Sequence, residues 1–330
     1  MKAVILHSDI TENAREDESD VLVQVETVRR SLTALGHSSV VHSVSMDFKK
    51  TIDALTSLRP DVVFNLVESM ADQGNLIHIA PAIMDSLNLP YTGSKTEAIF
   101  LTSNKILAKK FLDAQQLPTP PLFQVDDRQS VFMEGSYIIK AVWEHASVWL
   151  DDHAIVYAGN GNDLRQAILS QQKRTGRACF AEPFIDGREF NLSLLAGDAG
   201  PEVLPPAEIQ FSDYPANKAK VVDYRSKWVE DSFEYHHTPR CFQFSNEDTP
   251  LLEHLSDLAI QCWHLFNLRG YARVDFRVDV NNYAWILEVN TNPCLSPDGG
   301  FAAAVEQGGM TFNEAIERII EEAFRFPYSP

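Results

Sequence analysis

The chain reads as an α/β protein with mixed α+β elements, opening on a parallel sheet. Three observations predict this. Over the first 95 residues, short apolar strands alternate with helical patterns. The tract LPTPP at 117–121 breaks the chain after a helical segment. Near the C-terminal end, RVDFRVDVNNYAWILEVN (273–290) reads as two strands joined by a tight turn.

In order, AVILHS is a short buried strand, and SDVLVQVETVRRSLTAL has helical spacing up to Gly36. SVVHSV is a second strand, residues 48–58 a short helix, and DVVFNLVE after Pro60 a third strand. HIAPAIMDSLN is helical, and PYTGS a final strand and turn. This spacing predicts a parallel sheet covered on both faces. Residues 96–116 form a helical segment carrying Lys105, Lys109 and Lys110. SYIIKAVW and ACFAEPFI are strands of a middle domain that reaches to about residue 185. REFNLSLLAG alternates as a strand and opens the last domain; a polar stretch follows at 211–248. Thr249-Pro250 starts a helix as N-cap and first helical residue. Its apolar face is Leu251, Leu255, Leu258, Cys262 and Leu265. TFNE places Thr311 and Glu314 at capping-box spacing ahead of a stripe of Phe312, Ile316, Ile319 and Ala323. The expected domains are therefore 1–95, 96–185 and 186–330.

At 330 residues the chain has room for two or three cores. A net charge of −18 argues against nucleic acid or an anionic membrane as partner, yet leaves room for a small anion in a locally basic cleft. The four cysteines are scattered with no C-x-x-C pair, which fits a reduced, cytoplasmic chain. No apolar run approaches 18 residues, and MKAVILHSD reads as a first strand, too short in apolar residues for a signal peptide.

The hairpin carries the chemistry. Alternation puts Arg273, Asp275 and Arg277 on one face of its first strand, and Ile286, Glu288 and Asn290 on one face of its second. A turn centred on Asn281-Asn282 sets Asp275 opposite Glu288 and Arg273 opposite Asn290. Facing Cβ atoms are then about 4.5–5.5 Å apart, and like charges there repel. A divalent cation resolves the repulsion. Mg²⁺ takes oxygen ligands and is commonly held by one or two carboxylates plus substrate phosphates. Asp275, Glu288 and Asn290 supply such oxygens, and Arg273 a fixed positive charge suited to phosphoryl chemistry. A solvated sheet face with incidental acids is the plainer alternative.

RVDF…ILEVNTNP, LNLPYTGS, YIIKAVWEHASV, EPFIDGREFN and YRSKW occur in one order. So arranged, they resemble the D-alanine–D-alanine ligase family of ATP-grasp enzymes over nearly the whole chain. The resemblance implies an ATP-grasp fold: an N-terminal Rossmann-like domain, then central and C-terminal domains that clamp ATP. It implies a ligase that joins two amino acids, ATP first phosphorylating one carboxylate, and a possible homodimer. Asp275, Glu288 and Asn290 match the ligands of Mg²⁺, for which the resemblance implies that Mn²⁺ can substitute. Arg273 matches the arginine that stabilises the transition state. Lys140 and Lys105 match nucleotide-binding lysines, and Lys227 a lysine near the γ-phosphate. Glu182, Pro183, Phe184 and Ile185 match the adenine hinge, and Glu189 the acid that holds the ribose. Pro183 has no N–H, so only its carbonyl is available to adenine.

Three departures fall on the amino-acid pockets. The phosphate-covering loop reads EHASVW, with Trp149 where the family has Gly and Ala146 where it has Ser; Ser147 is the hydroxyl left in it. Trp228 stands where the family has a Tyr that orients the first substrate, and its acidic partner is one of Glu16, Asp17 and Glu18. Gly299 and Gly300 stand where a Ser holds the second substrate's carboxylate, though glycine N–H groups can bind an anion. A site built around particular hydroxyls loses its specificity without them. The expected product is therefore an amide other than D-alanyl-D-alanine. The rivals are a true D-alanine–D-alanine ligase and an ATP-binding module without ligase activity. His236-His237 and Cys294 are read as a loop pair and a small packed residue.

Overall fold

A computed structural model describes residues 1–10, 14–127, 130–144 and 147–325. Strands β1 (Lys2–Ser8), β2 (Ser38–Val44) and β3 (Val62–Leu66) form a parallel sheet in the order β2-β1-β3. Both faces are covered, as the strand–helix alternation requires. Val4, Leu6 and Val63 pack with Leu55, Ala80 and Met84 from the helices Phe48–Leu58 and Ile79–Ser86. Ala3, Ile5 and Phe64 pack with Val28 of the helix Glu16–Ala34 and with Ile316 and Ile319 of the C-terminal helix Phe312–Arg325. That last helix carries the expected capping box: Thr311 N–H donates to Glu314 at 2.7 Å, and Glu314 N–H to Thr311 Oγ1 at 3.2 Å. PYTGS gives no strand; Tyr91 makes a single parallel bridge to Val63.

The helical segment at 96–116 is two helices, Thr96–Ser103 and Lys105–Ala114, divided at Asn104. Asn104 is extended, and its side chain accepts from Leu107 N–H at 3.0 Å, which caps the second helix. Strands β4 (Gly135–Ala141), β5 (Ile155–Ala158) and β6 (Cys179–Pro183) form an antiparallel sheet in the order β5-β4-β6. The largest sheet holds β7 (Arg188–Gly197), β8 (Gly200–Val203), β9 (Ala207–Ile209), β10 (Arg240–Cys241), β11 (Tyr271–Val278) and β12 (Ala284–Asn290). Its order is β10-β9-β7-β11-β12, with β8 beside β7. The helix Thr249–Leu265 packs Leu255, Leu258 and Cys262 on its apolar face. Its entry differs from expectation. Thr249 is already helical, because Ser245 and Asp248 form a capping box one turn earlier.

The hairpin needs a correction of its own. Asp275 does face Glu288 and Arg273 faces Asn290, but from Phe276 onward the register slips by one. Phe276 faces Ile286, and the loop spans 279–283, with Asn282 alone at positive φ. A bulge at Leu287 restores the site register. Ile286 therefore does not share a face with Glu288. It is fully buried against Val274 and Phe276 on the core side.

Candidate active site

A cleft of about 470 Å³ opens between the β4–β6 sheet and the face of β11 and β12 that carries the opposed acids. Apart from Glu16, Asp17 and Glu18, the described site candidates named above line it, from Lys105 and Lys140 to Gly299 and Gly300. Ala146 lies outside the described residues.

The inner end is cationic and locked by ion pairs. Arg273 grips Asp275 side-on, Nε to Oδ1 at 2.7 Å and Nη2 to Oδ2 at 2.8 Å. Asn191 on β7 adds a third bond to Asp275 at 2.9 Å. Burial opposes the Arg273 charge, but Asp275 outweighs it and raises the guanidinium pKa. Lys105 Nζ reaches Glu288 Oε1 at 3.0 Å and also donates to the Glu144 carbonyl. Asn290 Oδ1 accepts from Asn292 N–H at 2.9 Å. Lys227 lines the same wall, and its pKa is lowered by burial first and then by Arg273.

Lys140 on β4 meets Glu182 on the adjacent β6 at 2.6 Å. The other Glu182 oxygen pairs with Lys109 at 2.8 Å, and Lys109 also donates to Thr119 at 2.6 Å. Glu182 and Lys109 are both almost fully buried. Burial would raise the Glu182 pKa, yet the two ammonium groups hold it below the usual carboxylate range. Its side chain is thus committed to lysines, and Phe184 N–H is committed to the Ser136 carbonyl at 2.9 Å. Of the hinge positions, Ile185 keeps an N–H for a ligand. Glu189 pairs with Arg277 at 2.8 Å, and Arg277 is held by the Gly187 carbonyl at 2.9 Å.

The outer end is made of loops. Ser147 does not offer its hydroxyl to the cleft; it donates to the Val222 carbonyl at 3.0 Å and ties the two loops together. Ser147 and Trp149 both have positive φ, +57° and +65°. The Trp149 backbone thus keeps a conformation that glycine favours. Among Glu16, Asp17 and Glu18, it is Asp17 that reaches the loops: Tyr224 Oη donates to it at 2.9 Å. Tyr224 lies one helical turn before Trp228 in the short helix Tyr224–Trp228, so a tyrosine hydroxyl is present, four residues earlier. Gly299 N–H is spent on the Ser296 carbonyl at 2.8 Å.

Sequence reasoning missed five residues here, Tyr224 among them. Lys109 follows Lys105 by four on one helix, a spacing that puts both on one face and was a usable signal. Arg277 shares the hairpin face with Arg273, also a usable signal. Glu68 lines the cleft beyond β3 and accepts from Gln24 at 2.9 Å; burial pushes its pKa up to about 7. Arg240, on the far wall, had no signal, because its neighbours come from distant segments.

Comparison with known proteins places this cleft. Residues 152–321, a little over half of the chain, match the family model "D-ala D-ala ligase C-terminus". A D-alanine–D-alanine ligase of Thermotoga petrophila is 28% identical over 306 residues, 91% of each chain. One of Sphingopyxis alaskensis is 29% identical, over 92% of each. The solved D-alanine–D-alanine ligase of Bacillus anthracis complexed with ATP superposes with a TM-score of 0.73 at 16% identity, over 98% of each chain. That of Coxiella burnetii gives 0.70 at 18%, over 98% of this chain and 93% of the other. Fold and likeness together define an ATP-grasp ligase, an enzyme class that forms amide bonds. The chain belongs to the D-alanine–D-alanine ligase family. Among the described residues, no helix is long and apolar enough to cross a membrane.

Proposed function

We propose that the chain is an ATP- and Mg²⁺-dependent ligase joining the carboxylate of one amino acid, or similar small acid, to the amine of a second. The product is an amide other than D-alanyl-D-alanine. The observation that carries this reading is one cleft holding Lys105, Lys140, Lys227 and Arg273 beside the opposed acids Asp275 and Glu288. Residues 1–95, 96–185 and 186–330 serve as three domains, with the nucleotide between the last two.

The donor set fits Mg²⁺. Asp275 accepts three bonds out of about four lone-pair sites, and Glu288 and Asn290 add a carboxylate and an amide oxygen on the facing strand. When bound, the ion neutralises phosphate charge. The remaining steps belong to side chains. Lys140 and Lys105 hold the phosphates as point charges, and Lys109 keeps Glu182, and through it Lys140, in place. Ile185 N–H meets the adenine edge and Glu189 the ribose. A carboxylate oxygen of the first substrate bonds to the γ-phosphorus as ADP leaves, with Lys227 beside the transferred group. The amine of the second substrate then bonds to the acyl carbon, inorganic phosphate departs, and one amine proton is released. Arg273 has Nε and Nη2 on Asp275 and keeps Nη1 for the developing oxyanion.

The test is a substrate matrix: pairs of amino acids of both hands with ATP and Mg²⁺, followed by phosphate release and by new amide masses. A new mass with a pair other than two D-alanines supports the reading. Release with D-alanine alone makes the chain a true D-alanine–D-alanine ligase. ATP binding with no release for any pair makes it a binding module.

A further inference from the structure

The outer wall of the cleft holds a cation that, among the described residues, makes no ion pair with a carboxylate, although Asp298 acts on it from further off. Arg240 sits on β10, a two-residue edge strand whose pairing with Ile209 on β9 sets it against the turn at 296–300. Its Nη1 donates to the main-chain carbonyl of Asp298 at 2.8 Å. Among the described residues, no carboxylate lies within 4.0 Å of its guanidinium. The other two arginines lining the cleft differ: Arg273 is paired with Asp275, and Arg277 with Glu189. Arg240 is exposed on the cleft wall, so its guanidinium is within reach of an external anion, to which its planar fork is suited.

Gly300 shows how the place is made. Its φ is not in the left-handed region, so the backbone does not require glycine there. A Cβ on it would stand 3.4 Å from Arg240 Nε and 4.0 Å from Cζ. That is ordinary van der Waals contact, so a side chain would fit beside the guanidinium but would lie against its Nε edge, which the glycine leaves uncovered. With Nη1 on Asp298, the edge formed by Nε and Nη2 is left, and that edge matches the two oxygens of a carboxylate. The nearby glycine N–H at 299 is already spent on Ser296, so it does not compete for this role. Although the residue is exposed at the surface, crowding of its guanidinium by protein and then Arg273 lower the Arg240 pKa, Asp298 acting the other way, and an anion seated beside both cations would relieve the repulsion.

We propose that Arg240 is the specificity residue for the acceptor amine: it holds a carboxylate of that amine side-on through Nε and Nη2. The acceptor is then an amino acid with a free carboxylate, and its carboxamide is refused. The proposal rests on the ligase reading for the word acceptor, and its test separates the two.

Full-length protein loaded with Mg²⁺ and a non-hydrolysable ATP analogue is titrated calorimetrically with the amino acids of both hands and with their carboxamides. At least one amino acid should bind, with its carboxamide about 30-fold weaker or worse, the range of a charge-assisted bidentate contact. Arg240→Ala should lose binding to a similar degree, Arg240→Lys should recover part of it, and the ATP analogue should bind all variants within about twofold. Gly300→Ala, which sets a methyl 3.4 Å from Nε on the edge offered to the carboxylate, should weaken the amino acid in the same direction. In turnover with a competent pair, Arg240→Ala should raise KM for the acceptor and leave that of the donor. Equal binding of acid and carboxamide, unchanged binding to Arg240→Ala, or no amino acid bound by the wild-type chain would each overturn the proposal. Arg240-dependent binding with no phosphate release would remove the ligase reading and leave Arg240 as a carboxylate receptor.

Discussion

The two ends of the cleft are built differently. At the inner end, the candidate side chains other than Lys227 stand on strands and on one helix, and ion pairs across strands, between helix and strand or along one strand hold them: Lys140 and Lys109 on Glu182, Lys105 on Glu288, Arg273 on Asp275. At the outer end they stand on loops and short turns of helix, tied by single hydrogen bonds such as Tyr224 to Asp17 and Ser147 to Val222. Ion pairs between regular elements tolerate little change of residue, whereas loops accept it. The positions at which the sequence resemblance suggests a departure, Trp149, Trp228 and Gly299–Gly300, lie at this outer end, on loops and helix ends. Such a division lets a ligase keep one phosphate chemistry while its amide partners change.

The largest effect that would break this comparison is at Glu288. Glu288→Gln keeps the shape and removes one charge from the opposed pair and from Lys105. Turnover should fall by at least about 10²-fold, the scale of losing one electrostatic group aimed at reacting charge. Near-normal phosphate release would remove the metal-binding role. Next comes Lys109→Met. It leaves the buried Glu182 with Lys140 alone, and breaking a buried pair costs about 3 kcal/mol. A lower denaturation midpoint should accompany a raised KM for ATP, with kcat less affected. If only stability falls, Lys109 supports the fold and does not position Lys140.

How far the sequence showed all this follows the same division. The strand–helix alternation, the break at LPTPP and the opposed acids are local patterns of period or spacing, and these were legible. The hairpin site was legible for a partly wrong reason. The turn was placed one residue off, and the bulge at Leu287 returned Asp275 and Glu288 to each other while sending Ile286 to the core. A bulge leaves no periodic trace in one sequence. Glu68, Tyr224 and Arg240 were illegible as site residues because their partners lie 44 residues or more away, as with Gln24 and Glu68, or 207 away, as with Asp17 and Tyr224. Only folding brings them to one wall.

Glu68 sharpens the contrast through pH. Its pKa is raised to about 7 from 4.5, chiefly by burial. The folded chain thus binds this proton more tightly than the unfolded chain does. Its contribution is complete below about pH 4.5 and is lost as pH rises through 7. Glu68→Gln should therefore be relatively more stable than wild type at pH 8 than at pH 5, as chemical denaturation at the two values would read. A difference that does not change with pH would mean that Glu68 is charged throughout.

The smallest effect is at Trp149, and it tests whether the outer loop carries a conformation its residue does not favour. A non-glycine residue at φ +65° costs about 1 kcal/mol or somewhat more. Trp149 as a residue is 40% exposed, so its removal forfeits only part of an aromatic burial. Trp149→Gly relieves the backbone but adds freedom to the unfolded chain, which offsets about 0.5–1 kcal/mol. The net change in stability should then be small, within about 1 kcal/mol, where deleting a tryptophan from a packed core costs about 3–5 kcal/mol. Selectivity among amino acids in the substrate matrix should relax, while KM for ATP holds within about twofold. A large loss of stability instead would show that the ring is a structural anchor, and the outer end would then be as rigidly specified as the inner one.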